Sequence, residues 1–237
     1  MSVYEFRARA PSEGATRIQF VDIPAHDTYV LSVMECVVQR VCSKGRPREF
    51  DVDEALAAAL RVFWSKGYEA ASLTDLTEAM GITRPSLYAA FGNKEALFRK
   101  ALDLYEREKL AYIGEALKAP TSRAVAERLL RGALAMQTSD CEPKGCMRVL
   151  TSVGCSPEAE SIRSDVMARR QSSQRALCDR MSRAKEEGDL PEGTDVEGLC
   201  AYLAAVLGGM TIQAGSGASK AQLEGLVETT LRMWPGR

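Results

Sequence analysis

Arg84 stands between Thr83 and Pro85-Ser86 in the run Ser72 to Asn93, SLTDLTEAMGITRPSLYAAFGN. A guanidinium can give two parallel hydrogen bonds to guanine, and hydroxyls can meet several base edges or a phosphate. Thr83, Arg84, Pro85 and Ser86 fall within one helical turn, and Tyr88 follows with a phenol able to reach a phosphate oxygen. Asn93-Lys94 opens the next helix, where free N–H groups, the helix dipole and an ammonium favour an anion. The same reasoning covers Ser72 and Thr74. Upstream, Lys44-Gly45-Arg46-Pro47-Arg48 forms an extended basic arm in which Arg46 and Arg48 suit a narrow A·T-rich minor groove. Lone arginines of this kind also serve as plain solvated surface.

Residues for most enzymatic chemistry are scarce. His26 is the one histidine, so neither a Ser-His-Asp triad nor a His-x-x-x-His metal pair is expected. Seven cysteines stand at 36, 42, 141, 146, 155, 178 and 200, with no Cys-x-x-Cys pair. That argues against a zinc ribbon and for mostly free thiols in a reducing, cytoplasmic setting. Gly215-Ser216-Gly217-Ala218-Ser219 lacks the lysine of a phosphate loop and the spacing of a dinucleotide fold, and reads as a turn. No metal, cofactor or catalytic site is expected. Cys146 is the exception worth weighing. It begins a short helix after a Pro-Gly loop, near Lys144 and Arg148, a setting that favours a thiolate. An oxidant or electrophile sensor is one reading; a small buried hydrophobe is the other.

The elements that must position these groups are helical. The chain has 237 residues, 46% hydrophobic and 27% charged, with 31 basic against 32 acidic side chains. This is room for one large domain or two modest ones with a full core. A polybasic protein is excluded, while a local patch remains sufficient for a nucleic acid. Nine basic and eight acidic residues nearly cancel between Lys44 and Lys100, so net charge there decides nothing. Residues 1–43 carry no sustained period and read as a poorly ordered extension, or as a stretch upstream of a later start at Met34. From Asp51 onward, apolar residues recur at 3.6-residue spacing. Val52 to Trp64 form one helix stopped at Gly67. Ser72 opens a second, with a capping box, that stops at Gly81. Thr83 opens a third, with Pro85 in its first turn, that ends near Gly92. Asn93 opens a long helix through Leu97, Ala101, Leu104 and Leu110. Further helices are expected over 121–138, 145–154, 157–187, 195–214 and 218–233. No strand alternation appears after residue 50, and the most apolar stretch, Ala201 to Met210, is about half of what a membrane span needs.

Two short helices around a Gly-containing turn, with the second exposed, form a helix-turn-helix. Phe50 to Leu102 resembles the DNA-binding domain of the TetR/AcrR repressor family. The resemblance rests on Phe63-Trp64 before Gly67-Tyr68, on Ser72-Leu73-Thr74, on Gly81-Ile82-Thr83, on Ser86-Leu87-Tyr88, and on Phe91 to Leu97 with Asn93-Lys94-Glu95. It is weaker beyond, resting on Lys144-Gly145-Cys146 and the ending from Met210 to Trp234. It implies an all-α chain: a three-helix DNA-binding domain over 44–98, then a ligand-binding and dimerisation domain over 99–237. It also implies a homodimeric, ligand-responsive transcription factor, usually a repressor, acting on double-stranded DNA.

The two C-terminal helices carry broad apolar faces with Ala204, Ala205, Gly208 and Gly209 permitting close approach. They suit a four-helix bundle across a two-fold axis, or plain core. A dimer would read two half-sites of a palindrome. Candidate lining residues for a hydrophobic inducer are Tyr105, Tyr112, Met136, Cys146, Met147, Leu150, Val153, Met167 and Tyr202. The different-class alternative is a helical small-molecule-binding protein without DNA activity.

Overall fold

The computed structural model describes residues 50–154 and 159–236, and ten α-helices run through them with no strand among the described residues. The helices are α1 Val52–Ala70, α2 Leu73–Met80, α3 Arg84–Phe91, α4 Lys94–Lys109 and α5 Ala111–Leu117, then α6 Ser122–Gln137, α7 Met147–Gly154, α8 Glu160–Glu186, α9 Val196–Gly215 and α10 Lys220–Arg232. The 1–43 extension and the basic arm with Arg46 and Arg48 lie outside the described residues.

Local signals set the ends of the first four helices. Asp51 caps α1 by accepting the N–H groups of Asp53 and Glu54 at 2.8 and 3.1 Å. Gly67, at φ 78° and ψ 173°, kinks α1 and is followed by one more turn to Ala70. Ser72 and Asp75 form a reciprocal capping box at α2. Gly81 ends α2 in the left-handed region, φ 65°, where a side chain would be strained. Thr83 caps α3 and Asn93 caps α4, the latter by accepting Ala96 N–H at 2.8 Å.

Asp75 carries more than a cap. It accepts Lys66 Nζ at 2.6 Å, Ser72 N–H at 2.9 Å and the Ser72 hydroxyl at 2.8 Å. Lys66 first, then Ser72, pull its carboxyl from 3.8 down to about 2. A depressed carboxylate stabilises the fold above its unfolded value, and that contribution goes as pH falls through the folded value. Asp75→Asn should therefore melt below the wild type at pH 7, and the gap should close between pH 3.8 and about 2. Thermal melts of both proteins across that range check it; a gap independent of pH would rule the charge out as its source.

Two cores form. The first joins α1–α4 to α7 and the start of α8: Phe63, Trp64, Leu76, Leu87, Leu97 and Phe98 share it with Met147, Ile162 and Val166. Phe63 meets Phe98 edge-on at 5.1 Å, and Trp64 meets Tyr105 edge-on at 4.9 Å. The Trp64 indole N–H donates to the carbonyl of Gly145 at 2.7 Å across 81 residues of sequence. The second core joins α5, α6, α8, α9 and α10 through Leu130, Met181, Leu203, Met210, Leu223 and Val227.

The long fourth helix departs from expectation. It breaks at Leu110, where φ is −106° and ψ is 5°, and α5 begins at once. No Gly or Pro stands there. The bend keeps Leu110 buried, with Tyr112 and Ile113 packed against both cores.

α9 buries Cys200, Leu203, Met210 and Ala214 on its inner face. Ala201, Tyr202, Ala205 and Ile212 are exposed on the other, beside Gly209, where an added Cβ would meet nothing within 4 Å. Its mean hydropathy of 1.4 makes it long and apolar enough to cross a membrane by length and composition. The unbroken apolar stretch within it remains shorter, bounded by Glu197 and Gln213, and within the fold the helix is a wall of the second core.

Candidate functional site

The first candidate surface lies on α2, α3 and the start of α4. Ser72, Thr74, Thr83, Arg84, Pro85 and Tyr88 are all exposed, while Ser86 and Lys94 are half-buried. Leu87 and Phe91 anchor α3 from below, so its outer face stays free. Arg84 Nη2 donates to Thr74 Oγ1 at 2.8 Å, which holds the guanidinium across the helix-turn-helix. The Thr83 and Ser86 hydroxyls lie 3.0 Å apart. Lys94 Nζ donates to the Glu69 carbonyl at 3.3 Å and sits 4.6 Å over the Tyr68 ring. Burial lowers its ammonium from the usual lysine value, against the opposing pull of Glu69. The fold thus brings together eight of the ten residues singled out for nucleic-acid contact; Arg46 and Arg48 are the two outside the described residues. The arrangement offers donors, hydroxyls and a fixed cation at a helix N-terminus, which suits phosphates and base edges.

The second candidate is a cavity of about 150 Å3 between α4–α5 and α6–α9. Its walls include Leu110, Ile113, Leu129, Leu177 and Leu207. Three of the residues proposed to line a pocket do so: Tyr112, Met136 and Cys146. Five do not, and each has a reason. Tyr105 is fully buried in the first core against Trp64, and its hydroxyl donates to Met136 Sδ at 3.6 Å and accepts Met147 N–H at 3.4 Å. Met147 is buried in that same core. Leu150 is exposed on α7 and packs over Gly145. Tyr202 is on the outer face of α9, its hydroxyl 3.5 Å from Thr230 Oγ1. Met167 lines a shallow groove beside the cavity, with Arg170 and Gln174 shared between them. The Val153 side chain lies outside the described residues.

Sequence reasoning missed the polar lining: Gln137, Arg148, Arg170, Ser173, Gln174 and Thr211. Arg148 was weighed only as a neighbour of Cys146; nothing in the sequence places Glu106, 42 residues away, as its partner at 3.2 Å. Gln137 is 2% exposed and fully engaged: its Oε1 accepts Gly145 N–H at 2.7 Å, and its Nε2 donates to Thr211 Oγ1 at 3.2 Å. With Trp64 on Gly145, this makes a buried hydrogen-bonded chain from α1 through the cavity wall to α9.

Cys146 precedes α7 and is 9% exposed, its carbonyl accepting Leu150 N–H at 3.0 Å. Burial first, and the nearby Cys146 second, push the phenols of Tyr105 and Tyr112 far above their usual range, so both stay neutral. Cys200 is buried with the Cys178 thiol beside it, and burial raises its thiol as well; both belong to packing, as expected of small buried hydrophobes.

Known proteins resemble this arrangement. The model for bacterial regulatory proteins of the tetR family matches residues 55–101. The chain is 38% identical over 196 residues to the HTH-type transcriptional repressor ComR of Escherichia coli, covering 81% of this chain and 93% of that protein. It is 34% identical over 178 residues to the repressor BdcR of the same organism, covering 68% and 89%. Among solved structures, it is similar to a cysteine-substituted TetR-family regulator, CifR, in complex with a 26-base-pair operator duplex. Identity is 46%, the TM-score is 0.76, and 80% of this chain and 100% of that one are covered.

Proposed function

Because the chain belongs to the TetR family of bacterial transcriptional regulators, which are not enzymes, we propose that it is a cytoplasmic homodimeric repressor released from a palindromic operator by a small hydrophobic inducer. Residues 44–98 read the DNA, and residues 99–237 sense the ligand and pair the protomers. The carrying observation is the exposed set Thr74, Thr83, Arg84 and Tyr88, with Ser86 and Lys94 half-buried beside them, on a fully capped helix-turn-helix. Likeness to a regulator solved on operator DNA supports the same reading. The outward small-residue face of α9 suits an isologous contact with a second copy. α4 leaves the helix-turn-helix and ends at the cavity, so a ligand that favours one tilt of α4 shifts the spacing of the two recognition helices.

Selection of random duplexes on the purified protein tests this. A palindrome with half-sites about 34–36 Å apart is the expected result; a folded dimer that enriches no sequence at low salt would overturn it. On the selected operator, Arg84→Ala should relax base preference, losing about 1–3 kcal/mol of discrimination at one position. Lys94→Ala and Tyr88→Phe should weaken all sequences alike, and Lys94→Ala should lower the salt slope by about 1. Equal loss on every operator for Arg84→Ala would remove it as the base reader.

A second reading keeps the output and changes the input. Cys146 lines the cavity, so an electrophile or oxidant entering it could reach the thiol. In that case Cys146→Ser would abolish release by the electrophile while leaving operator affinity unchanged. Operator binding also separates both readings from a small-molecule-binding protein without DNA activity.

A further inference from the structure

The cavity has an electrostatic character that its apolar walls conceal. Among the described residues no Asp or Glu lines it, and two arginines do. Arg148 is 11% exposed, and its Nη1 donates to Glu106 Oε1 at 3.2 Å and Ser173 Oγ at 3.1 Å. Its Nε is buried without a hydrogen-bond partner. Glu106 is itself shared with Arg169 at 2.7 Å, and Arg169 also takes Asp103 at 2.7 Å. Those four groups balance two against two. Arg170 stands outside the balance: it donates to the Ser152 hydroxyl and has no carboxylate partner among the described residues. Gln174, exposed at the same edge, brings the cavity to the surface.

We propose that this cavity binds a small organic monocarboxylate, its apolar body against Leu110, Ile113, Leu129 and Leu177 and its carboxylate between Arg148 and Arg170. The volume sets the body. A cavity of about 150 Å3 lined by aliphatic and aromatic groups holds a benzene ring, so about six to eight carbons fit. The polar lining sets the head. Two guanidinium groups in a wall with no acid among the described residues call for an anion, and guanidinium–carboxylate pairs are short, charge-assisted and often bidentate. A cation would face two arginines with no acid among the described residues of the wall. A neutral hydrocarbon would leave the two arginine charges without a counterion from the ligand.

The proposal deepens the ligand-responsive reading and rests on it for its consequence. Glu106 closes the last turn of α4, so a ligand carboxylate on Arg148 competes with the helix that carries the recognition elements. The acid acts by taking over one partner of that shared network.

Titration calorimetry on the full-length protein tests binding directly, with butanoate through octanoate and benzoate as probes and the matching amides as controls. Fluorescence anisotropy of the selected operator reads release separately. Saturable binding of acids but not amides is expected, with affinity reduced at least tenfold in Arg170→Gln and in Arg148→Gln. Arg170 is half-buried at the rim, so its variant keeps the test sound should Arg148→Gln fail to fold. Equal binding of acids and amides, unchanged affinity in folded Arg170→Gln, or no acid binding to a protein that holds its operator would each overturn the proposal. Acid binding that is lost in Arg170→Gln but releases no operator upholds it and removes the release reading. Release by neutral compounds or electrophiles, without acid binding, does the reverse.

Discussion

Glutamate in place of Ala205 is expected to leave the protein folded and monomeric, with operator affinity lower by about 10²- to 10⁴-fold. Ala205 is exposed on α9, one turn from Ala201 and one from Gly209, and it belongs to neither core. In a lone protomer the new carboxylate stays in water and disturbs nothing. At a two-fold contact each glutamate faces the same surface of its copy, desolvated and near a like charge. A monomer keeps its recognition helix and loses the linkage between two half-sites, which supplies the avidity. Sedimentation analysis and anisotropy on one sample, with circular dichroism as the folding control, check this. An Ala205→Glu protein that remains dimeric and binds the palindrome as the wild type does would place the pairing surface elsewhere.

Trp64→Ala should cost most of the stability. The side chain is 1% exposed, packed edge-on against Tyr105. Removing a buried aromatic costs about 3–5 kcal/mol, and stranding the Gly145 carbonyl adds about 1–3 kcal/mol. Against a total of about 5–15 kcal/mol for a typical protein, little margin remains. Trp64→Phe separates the two contributions, since it keeps a ring and loses the N–H. It should melt several degrees below the wild type, at about 2–4 °C per kcal/mol for a chain of this size. Melts at matched protomer concentration read both variants. A Trp64→Phe protein that melts with the wild type would show that the bond to Gly145 contributes nothing.

Helix ends in the first half were legible because each is set within a few residues. Ser72, Gly81, Thr83, Gly92 and Asn93 act on their own backbone neighbours, and the sequence displays them side by side. The break at Leu110 was not legible, since burial against distant helices causes it and no local breaker marks it. The phase of α9 was equally hidden. A helix apolar all round carries no signal for which face turns inward. Tyr202 was therefore assigned to the cavity, while Ala204, Leu207 and Thr211 line it. The cavity roles of Arg148 and Arg170 are not legible because a charged residue on a helical stretch looks solvated until its partners, tens of residues away, are known.

The first core does not stop where the recognition elements stop. Met147, Ile162 and Val166 stand in it beside Leu76 and Leu87, and Trp64 is anchored on Gly145. The hydrophobic interior divides into two cores, but not at the proposed functional boundary near residue 98. Anyone splicing this helix-turn-helix onto a foreign sensor would find that a cut after residue 98 removes the floor beneath it. A workable chimera would have to bring the loop from Gly145 to Met147 and the inward face of early α8 with it. By the same token, a sensor exchanged as a cassette after residue 98 would take part of that floor with it, whereas substitutions in the cavity wall would leave it in place.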